Sequence, residues 1–143
     1  MNRFPSSLDS LDSVKHLEEE IVEDNSVFFG DGKPWIVRVQ GRLLPSLKYD
    51  LVLATLPKIV IDMGAVPHIA NGAQVMRPGI RQIEGQFNRD DLVVILDEKY
   101  RKIIALGIAE KDSETMRSMA KGRVIANIHY VGDPLWKSFT PLK

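Results

Sequence analysis

The sequence predicts an α+β protein, in which a small N-terminal α/β domain is followed by a pseudo-barrel of short mixed strands with two short helices. Three observations carry this prediction. Apolar residues near the N-terminus recur at helical spacing, the later part of the chain contains several short apolar or alternating runs, and glycines and prolines separate those runs. A chain of 143 residues can bury a core as one domain or as two small ones. We place the boundary at Lys58, which gives domains 1–58 and 59–143.

The N-terminal domain is predicted to open with an amphipathic helix. Its apolar face consists of five residues spaced three or four apart: Leu8, Leu11, Val14, Leu17 and Ile21. Ser6, Ser7 and Asp9 are candidate N-caps, because their side-chain oxygens can accept hydrogen bonds from the first free backbone N–H groups of a helix. The polar run at residues 24–26 marks the predicted end of the helix.

A β-hairpin is predicted next. The apolar runs at residues 27–29 and 35–39 are separated by the glycine-containing turn 30–33, which is typical of two paired strands. A shorter strand at 42–44 and a helix over 47–55 complete the predicted domain.

The C-terminal domain is predicted to consist mainly of strands. The apolar runs expected to form them are 59–61, 92–96 and 103–109, and the segment 80–83 leads toward the second of these. Two short helices are expected at 65–71 and 112–120, the first with Pro67 in its opening turn and Gly72 as its C-terminal cap. Asp62 is expected to accept backbone N–H groups at the start of the first helix. Gly107, inside a strand, indicates the bend by which a small sheet closes on itself.

The last predicted strand, 123–131, alternates between two kinds of side chain. We place the set Val124, Ala126, Ile128 and Tyr130 inside the barrel. Arg123, Asn127 and His129 then lie outside, together with Ile125 and Val131. A guanidinium, an amide and an imidazole in a row can all donate hydrogen bonds to phosphate, sugar or base edges.

Composition narrows the class of protein. The formal net charge is zero. Residues 1–58 contain seven basic and nine acidic side chains, and residues 59–143 contain twelve basic and ten acidic ones. Nucleic acid would therefore have to bind through a local patch of positive charge. The chain has no cysteine and no apolar run approaching the roughly 18 residues that span a bilayer. We therefore expect a soluble, cytoplasmic protein with no membrane association.

An enzymatic function is not expected. With no cysteine and only His16, His68 and His129 on three different elements, neither a metal site nor a nucleophile with its base is recognisable. The segment 64–67 also lacks the Gly-Lys-Ser/Thr run of a phosphate-binding loop. We predict a non-catalytic protein without a metal or another cofactor.

The positions of several glycines and prolines resemble those in a known family. Gly64, Gly72 and the pair Pro78-Gly79 fall within 60–80, and further marks follow at Gly107-Ile108-Ala109, Lys121-Gly122 and 129–136. In this pattern residues 59–136 resemble a PUA domain, an RNA-binding module. The segments 30–34 and 43–47, with the junction 56–65, are similar to the archaeal relatives of the malignant T-cell amplified sequence (ligatin-like) family of translation factors.

The resemblance implies a PUA-type barrel and a function in RNA binding. It implies action in translation initiation, re-initiation or recycling, on the acceptor end of tRNA or on small-subunit ribosomal RNA, at the small ribosomal subunit and with a protein partner. The alternative is a non-catalytic interaction module, or an accessory subunit of an RNA-modification or ribosome-assembly complex.

The same resemblance implies an RNA-binding groove beside the first helix of the barrel. Its predicted residues are Gly64, Ala65, His68, Asn71, Gly72, Met76, Arg77, Pro78, Gly79, Arg81, Lys121, Gly122, Arg123, Asn127 and His129. Each glycine taken singly is more typical of a plain turn than of a ligand contact, and a lone surface arginine or histidine is often only solvated. Two arginine and glycine clusters together favour binding, because a guanidinium suits phosphates and guanine edges. Trp136 is expected to plug one end of the barrel rather than to stack on a base.

Overall fold

The computed structural model describes residues 16–139, and their contacts divide the chain into two compact units. Within the described residues, the first unit consists of 16–55 and 132–139, and the second of 56–131. We had placed residues 132–143 in the second domain. The described part of that segment instead groups with the first unit, because its helix contacts the first two strands of that unit and buries Leu135 and Phe139.

The first unit contains a four-stranded antiparallel sheet and two short helices. Its strands, in the order in which they pair, are β1 (Leu17–Val22), β2 (Asn25–Gly30), β3 (Lys33–Val39) and β4 (Arg42–Pro45). Val27 pairs with Val37, which pairs with Leu44, so these three fully buried side chains share one face of the sheet. The helices α1 (Asp50–Leu53) and α4 (Pro134–Ser138) belong to the same unit.

The predicted N-terminal helix is wrong over the described residues. Leu17–Val22 is a strand that pairs with β2 along its whole length. Leu17 and Ile21 are four positions apart, and residues at that spacing share a face in a helix and in a strand alike, so the pattern did not discriminate between them. The other helix positions and the proposed caps lie outside the described residues. The first unit is therefore mostly strand, not the α/β domain that we predicted.

The predicted hairpin and the strand at 42–44 are confirmed. The β2–β3 turn contains Asp31 and Gly32, both with positive φ (51° and 82°), as a two-residue hairpin turn requires. The helix predicted over 47–55 is shorter and covers only Asp50–Leu53. The sequence therefore located these elements, although helix length was overestimated.

The second unit is a curled, six-stranded mixed sheet. Its strands pair in the order β6 (Val75–Met76), β10 (Arg123–Tyr130), β9 (Ile103–Ala109), β8 (Leu92–Asp97), β5 (Lys58–Ile61) and β7 (Ile80–Glu84). Only β5 and β8 are parallel among these pairs. A 3-10 turn at Arg77–Gly79 joins the two edge strands β6 and β7 directly, which requires the sheet to curl. Two short helices, α2 (Val66–Ile69) and α3 (Ser113–Ser118), complete the predicted barrel.

Gly107 lies in β9, opposite Asn127 of β10, where a side chain would not fit. A Cβ atom at this position would lie 2.4 Å from Ile125 Cγ2 and 3.0 Å from the carbonyl oxygen of Ala126. The β10 register shifts opposite this point, between Asn127 and His129. The irregularity lies in β10, and the bend at Gly107 itself stays a prediction.

The faces that we assigned to β10 are wrong in part. Ile125 was expected outside, yet it is fully buried in the core and pairs with Ala109. His129 was expected on the surface, yet none of its area is exposed. Both faces of β10 carry apolar residues and the register shifts part-way along it, so strict alternation could not identify the inner face.

Trp136, which we expected to plug the barrel, belongs to the first unit. It lies in α4 of the first unit, where the Asp133 carboxylate accepts a hydrogen bond from its backbone N–H (2.7 Å). Its ring is 5.7 Å from that of Phe139, and the Lys48 ammonium lies 4.3 Å from its centroid. The half-buried ring therefore stabilises the first unit.

Candidate nucleic-acid interface

A cleft of about 480 Å³ opens in the second unit between α2 and the turn that follows β6. Its lining residues are Asp62, Ala65, His68, Ile69, Ala73, Gln74, Val75, Met76, Pro78 and Gly79. His68 and Met76 are exposed at the cleft, whereas Ile69 and Val75 are buried beneath it. Most of these side chains are apolar, so the cleft suits a flat or hydrophobic group better than a free ion.

Two backbone segments are held together at one end of the cleft. The Asp62 carboxylate accepts a hydrogen bond from the Ala65 backbone N–H (2.8 Å), as we predicted for the start of α2. The Asp62 N–H donates to the carbonyl of Gly79 (2.9 Å). A Cβ atom on Gly79 would lie 3.2 Å from the Ala65 Cβ atom, so glycine permits this close approach.

The other end of the cleft is held by Asn127. Its side-chain Nδ2 donates to the carbonyls of Ile69 and Ala73, both at 3.0 Å, while its backbone N–H donates to Gln74 Oε1 (2.7 Å). We had predicted that Asn127 contacts RNA. Its amide instead fixes the end of α2 against β10, which gives it a structural role.

Two of the predicted cations form hydrogen bonds within the second unit. Arg77 donates from Nε to the Met116 carbonyl (2.7 Å) and from Nη1 to the Ile80 carbonyl (3.3 Å). Arg123 forms two parallel hydrogen bonds with the Glu110 carboxylate (2.8 and 2.7 Å), and this contact raises the pKa of Arg123. Arg77 is half-buried by its contacts, whereas the Arg123 side chain is 55% exposed beside Glu110. A contact of Arg123 with RNA therefore stays a prediction.

Arg81 and Lys121 are two further predicted cations, and both face solvent. The Arg81 side chain is 61% exposed, with Nε 3.8 Å from Glu98 Oε1. Lys121 is also exposed, and it precedes Gly122, whose carbonyl accepts the Arg77 backbone N–H (2.8 Å). Both positive charges therefore lie beside the turn Arg77–Gly79 that borders the cleft.

The structure brings the predicted residues together only in part. Five line the cleft itself: Ala65, His68, Met76, Pro78 and Gly79. The flanking loops carry Gly64, Asn71, Gly72, Lys121 and Gly122, and Arg81 lies near the start of β7. His129, like Asn127, belongs to the fold, and Gly72 takes a positive φ of 93° with its backbone packed closely against the ring of Tyr130.

Comparison with known proteins now identifies the family. A model of the PUA domain family matches residues 57–131. The chain belongs to the PUA domain family. We call the second unit, residues 56–131, the PUA unit.

Relatives of the whole chain agree with the resemblance that we predicted. An uncharacterized protein of Methanocaldococcus jannaschii is 36% identical, over 85% of this chain and 75% of the relative. Translation machinery-associated protein 20 of Saccharomyces cerevisiae is 28% identical, over 95% of this chain and 82% of its own length. Malignant T-cell-amplified sequence 1 of Rattus norvegicus is 28% identical, over 85% and 65% of the two chains. The chain is thus similar to an archaeal protein and to the eukaryotic members of that family.

Solved structures show the same similarity. A PUA domain protein from Aeropyrum pernix K1, in a tartrate complex, aligns with a TM-score of 0.74 and 29% identity, over 86% of this chain and 72% of that one. An H/ACA ribonucleoprotein bound to a substrate RNA aligns with a TM-score of 0.55 and 29% identity, over 66% of this chain and 28% of that one. The PUA-type fold is confirmed.

Glu98 belongs to this region although it was not among the predicted residues. Its Oε2 atom accepts a hydrogen bond from the Met63 backbone N–H (2.9 Å), across 35 positions of the chain. Met63 itself is 40% exposed on the loop before α2. Glu98 therefore connects the loop at the cleft to the β8–β9 turn, a link that no local motif could have indicated.

The β8–β9 turn is organised by the buried carboxylate of Asp97. Its two oxygens accept hydrogen bonds from the backbone N–H groups of Tyr100 and Lys102. The Arg101 N–H donates to the Asp97 carbonyl (3.1 Å), and the Arg101 guanidinium forms two hydrogen bonds with Glu84 (2.9 and 2.8 Å). This network holds Arg101 at a positive φ of 54°.

Asp97 should make the stability of the PUA unit depend on acidic pH. The hydrogen bond from the Tyr100 N–H, with others from the turn, lowers the pKa of Asp97 from the ordinary 3.8. The folded chain therefore binds this proton less readily than the unfolded chain, so the stabilisation is present above 3.8 and is lost as pH falls through the lowered pKa. Denaturant midpoints measured from neutral to strongly acidic pH should fall less steeply for Asp97→Asn than for wild type, while Asp24→Asn, at an exposed position, should follow wild type. Equal acid slopes for Asp97→Asn and wild type would contradict this assignment.

Within residues 16–139, no three His, Asp or Glu side chains are arranged as a metal site. None of the helices in that stretch is both long enough and apolar enough to cross a bilayer.

Proposed function

We propose that this protein binds RNA in translation initiation, re-initiation or recycling, through the acceptor end of tRNA or through small-subunit ribosomal RNA. The role is non-catalytic and is exercised at the small ribosomal subunit in the cytoplasm. The observation that carries the proposal is the apolar cleft of the PUA unit, with Arg81 and Lys121 exposed beside its bordering turn.

The geometry of the cleft favours a single-stranded segment. Its volume falls in the range of small-ligand pockets, which suits one unstacked nucleotide rather than a duplex. Met76 and His68 provide exposed side chains against which a base can pack. Two nearby cations provide contacts for a few phosphates, in agreement with a chain of zero net charge.

The relatives support the same function. One is named for its association with the translation machinery, and one solved neighbour is an RNA-bound ribonucleoprotein. That neighbour also favours the second candidate, in which this protein is a non-catalytic accessory subunit of an RNA-modification or ribosome-assembly complex. A protein partner bound at full strength in high salt, with no affinity for free RNA, would support the second candidate over the first.

Salt dependence tests the RNA contact. For a single-stranded RNA with a tRNA-like 3′ end, the logarithm of the affinity should fall with the logarithm of salt concentration, with a slope of about −0.7 per neutralised phosphate. Lys121→Ala should weaken binding and make that slope shallower by about 0.7. Fluorescence anisotropy titrations at several salt concentrations measure both quantities.

Lys111→Ala is the matched control, because Lys111 is an exposed lysine of the same unit outside the lining of the cleft. It should leave the affinity and the slope close to wild type. A flat salt dependence, or equal effects of the two lysine variants, would count against the proposed interface.

A further inference from the structure

The β8–β9 turn presents an exposed aromatic ring between two lysines. Tyr100 is 66% exposed, which is unusual for so large a ring. The Lys99 ammonium lies 5.2 Å from the centroid of the ring, and Lys102 is exposed on the other side in sequence. An aromatic face with adjacent ammonium groups is the combination that single-stranded nucleic acids bind.

The turn is held in place before any ligand arrives. The buried Asp97 carboxylate fixes the backbone of Tyr100 and Lys102, and the Arg101–Glu84 pair fixes the following residue. A ligand that stacks on Tyr100 therefore need not order the backbone, which reduces the entropy lost on binding.

The charges left available on this turn are positive. The positive charge of Arg101 is offset by the Glu84 carboxylate, with which it forms two hydrogen bonds. The Glu98 carboxylate accepts the Met63 N–H and lies near Arg81. Lys99 and Lys102 remain to attract an anion beside the tyrosine ring.

The turn is also connected to the cleft. The Glu98 side chain bonds the Met63 N–H, and the Glu98 backbone N–H donates to the Ile61 carbonyl (3.0 Å). Met63 directly follows Asp62, which lines the cleft. The turn and the loop at the cleft are thus joined within one unit, so one ligand strand can contact both.

From this geometry we propose that the β8–β9 turn is a second RNA contact, at which Tyr100 stacks on an unpaired base while Lys99 and Lys102 bind neighbouring phosphates. The proposal rests on the proposed RNA-binding function and extends it beyond the cleft. A base suits this turn better than an apolar protein surface, because the residues around the ring are charged: Glu98, Lys99, Arg101 and Lys102.

The test compares Tyr100→Ala and Tyr100→Phe in the full chain. The probe is an RNA hairpin with a single-stranded 3′ extension containing 2-aminopurine, whose fluorescence is quenched on stacking. Tyr100→Ala should weaken binding by about 5-fold to 150-fold and abolish the quenching contributed by the turn. Tyr100→Phe keeps the aromatic face and should bind within about twofold of wild type.

Lysine variants complete the test, together with a blunt hairpin that lacks the single-stranded 3′ extension. Lys99→Ala and Lys102→Ala should each make the salt slope shallower by about 0.7. Leu51→Ala, at an exposed apolar residue of the first unit, is the control for surface truncation and should bind like wild type. All variants should keep the wild-type melting temperature, because these side chains are exposed.

The outcomes separate this proposal from the proposed function. If wild type binds the hairpin and Tyr100→Ala binds equally well, the second contact is overturned while the RNA-binding function stands. If Tyr100→Ala loses as much affinity for the blunt hairpin as for the extended one, base stacking at this turn is overturned. If wild type binds neither RNA but Tyr100→Ala weakens binding of an acidic protein partner, both proposals fall.

Discussion

Replacing Gly107 by alanine is expected to destabilise the PUA unit by about 1–3 kcal/mol or more, through overpacking. The added Cβ atom would lie 2.4 Å from Ile125 Cγ2 and 3.0 Å from the Ala126 carbonyl oxygen. Both groups belong to β10, and Ile125 is fully buried in the core, so neither can move aside without disturbing the sheet. The denaturant midpoint, measured by circular dichroism, should fall with little change in the denaturant slope.

Gly64→Ala is the matched control for this substitution. Gly64 has no positive φ, and the nearest neighbour of an added Cβ atom would be Oδ1 of the half-buried Asp62 side chain, at 3.2 Å. We expect a much smaller loss of stability than for Gly107→Ala. If the two variants unfold at the same denaturant concentration, β9 and β10 can separate more readily than their packing indicates.

Arg77→Ala is expected to lower the free energy of unfolding by about 1–3 kcal/mol, because a charged donor is lost from two backbone acceptors. Its guanidinium joins the turn after β6 to the last turn of α3 through Met116, and to the start of β7 through Ile80. This expectation replaces the prediction from the sequence that Arg77 is a surface contact for RNA. Thermal unfolding of the free protein measures the effect without any ligand.

Arg81→Ala provides the comparison for Arg77→Ala. The Arg81 side chain is 61% exposed and lies 3.8 Å from Glu98, a contact of little value to stability at a surface. We expect an unchanged melting temperature and weaker RNA binding, the reverse of Arg77→Ala. Should Arg77→Ala melt like wild type while losing as much RNA affinity as Arg81→Ala, the guanidinium of Arg77 belongs to the binding surface after all.

Much of the fold could be predicted because it depends on local chemistry. The short apolar strands, the Asp31-Gly32 hairpin turn and the Asp62 contact with the start of α2 all involve residues close together in the chain. The glycines and prolines that carried the family resemblance also act on residues close to them in the chain. Five predicted residues do line the cleft, since they lie on consecutive elements from α2 to the turn at Arg77–Gly79.

The incorrect predictions involve pairing between distant segments. The spacing in Leu17–Val22 fits a helix, but the segment is a strand because it pairs with β2. The inner face of β10 depends on a register shift opposite Gly107. From the sequence, Arg77 was predicted to be a surface cation. In the structure its side chain donates a hydrogen bond to the carbonyl of Met116, 39 positions away. Long-range partners of this kind leave no mark on the local sequence.

By itself, the sequence determined the PUA family, the barrel of short strands and the position of the cleft, because turn residues and strand patterns act over a few neighbouring positions. Only the tertiary structure decided which polar side chains are available to a ligand. A buried carbonyl must be satisfied by whichever donor the fold places beside it. That requirement engages the half-buried side chains of Arg77 and Asn127 in hydrogen bonds to backbone carbonyls, while Arg81, Lys121 and Tyr100 remain facing solvent.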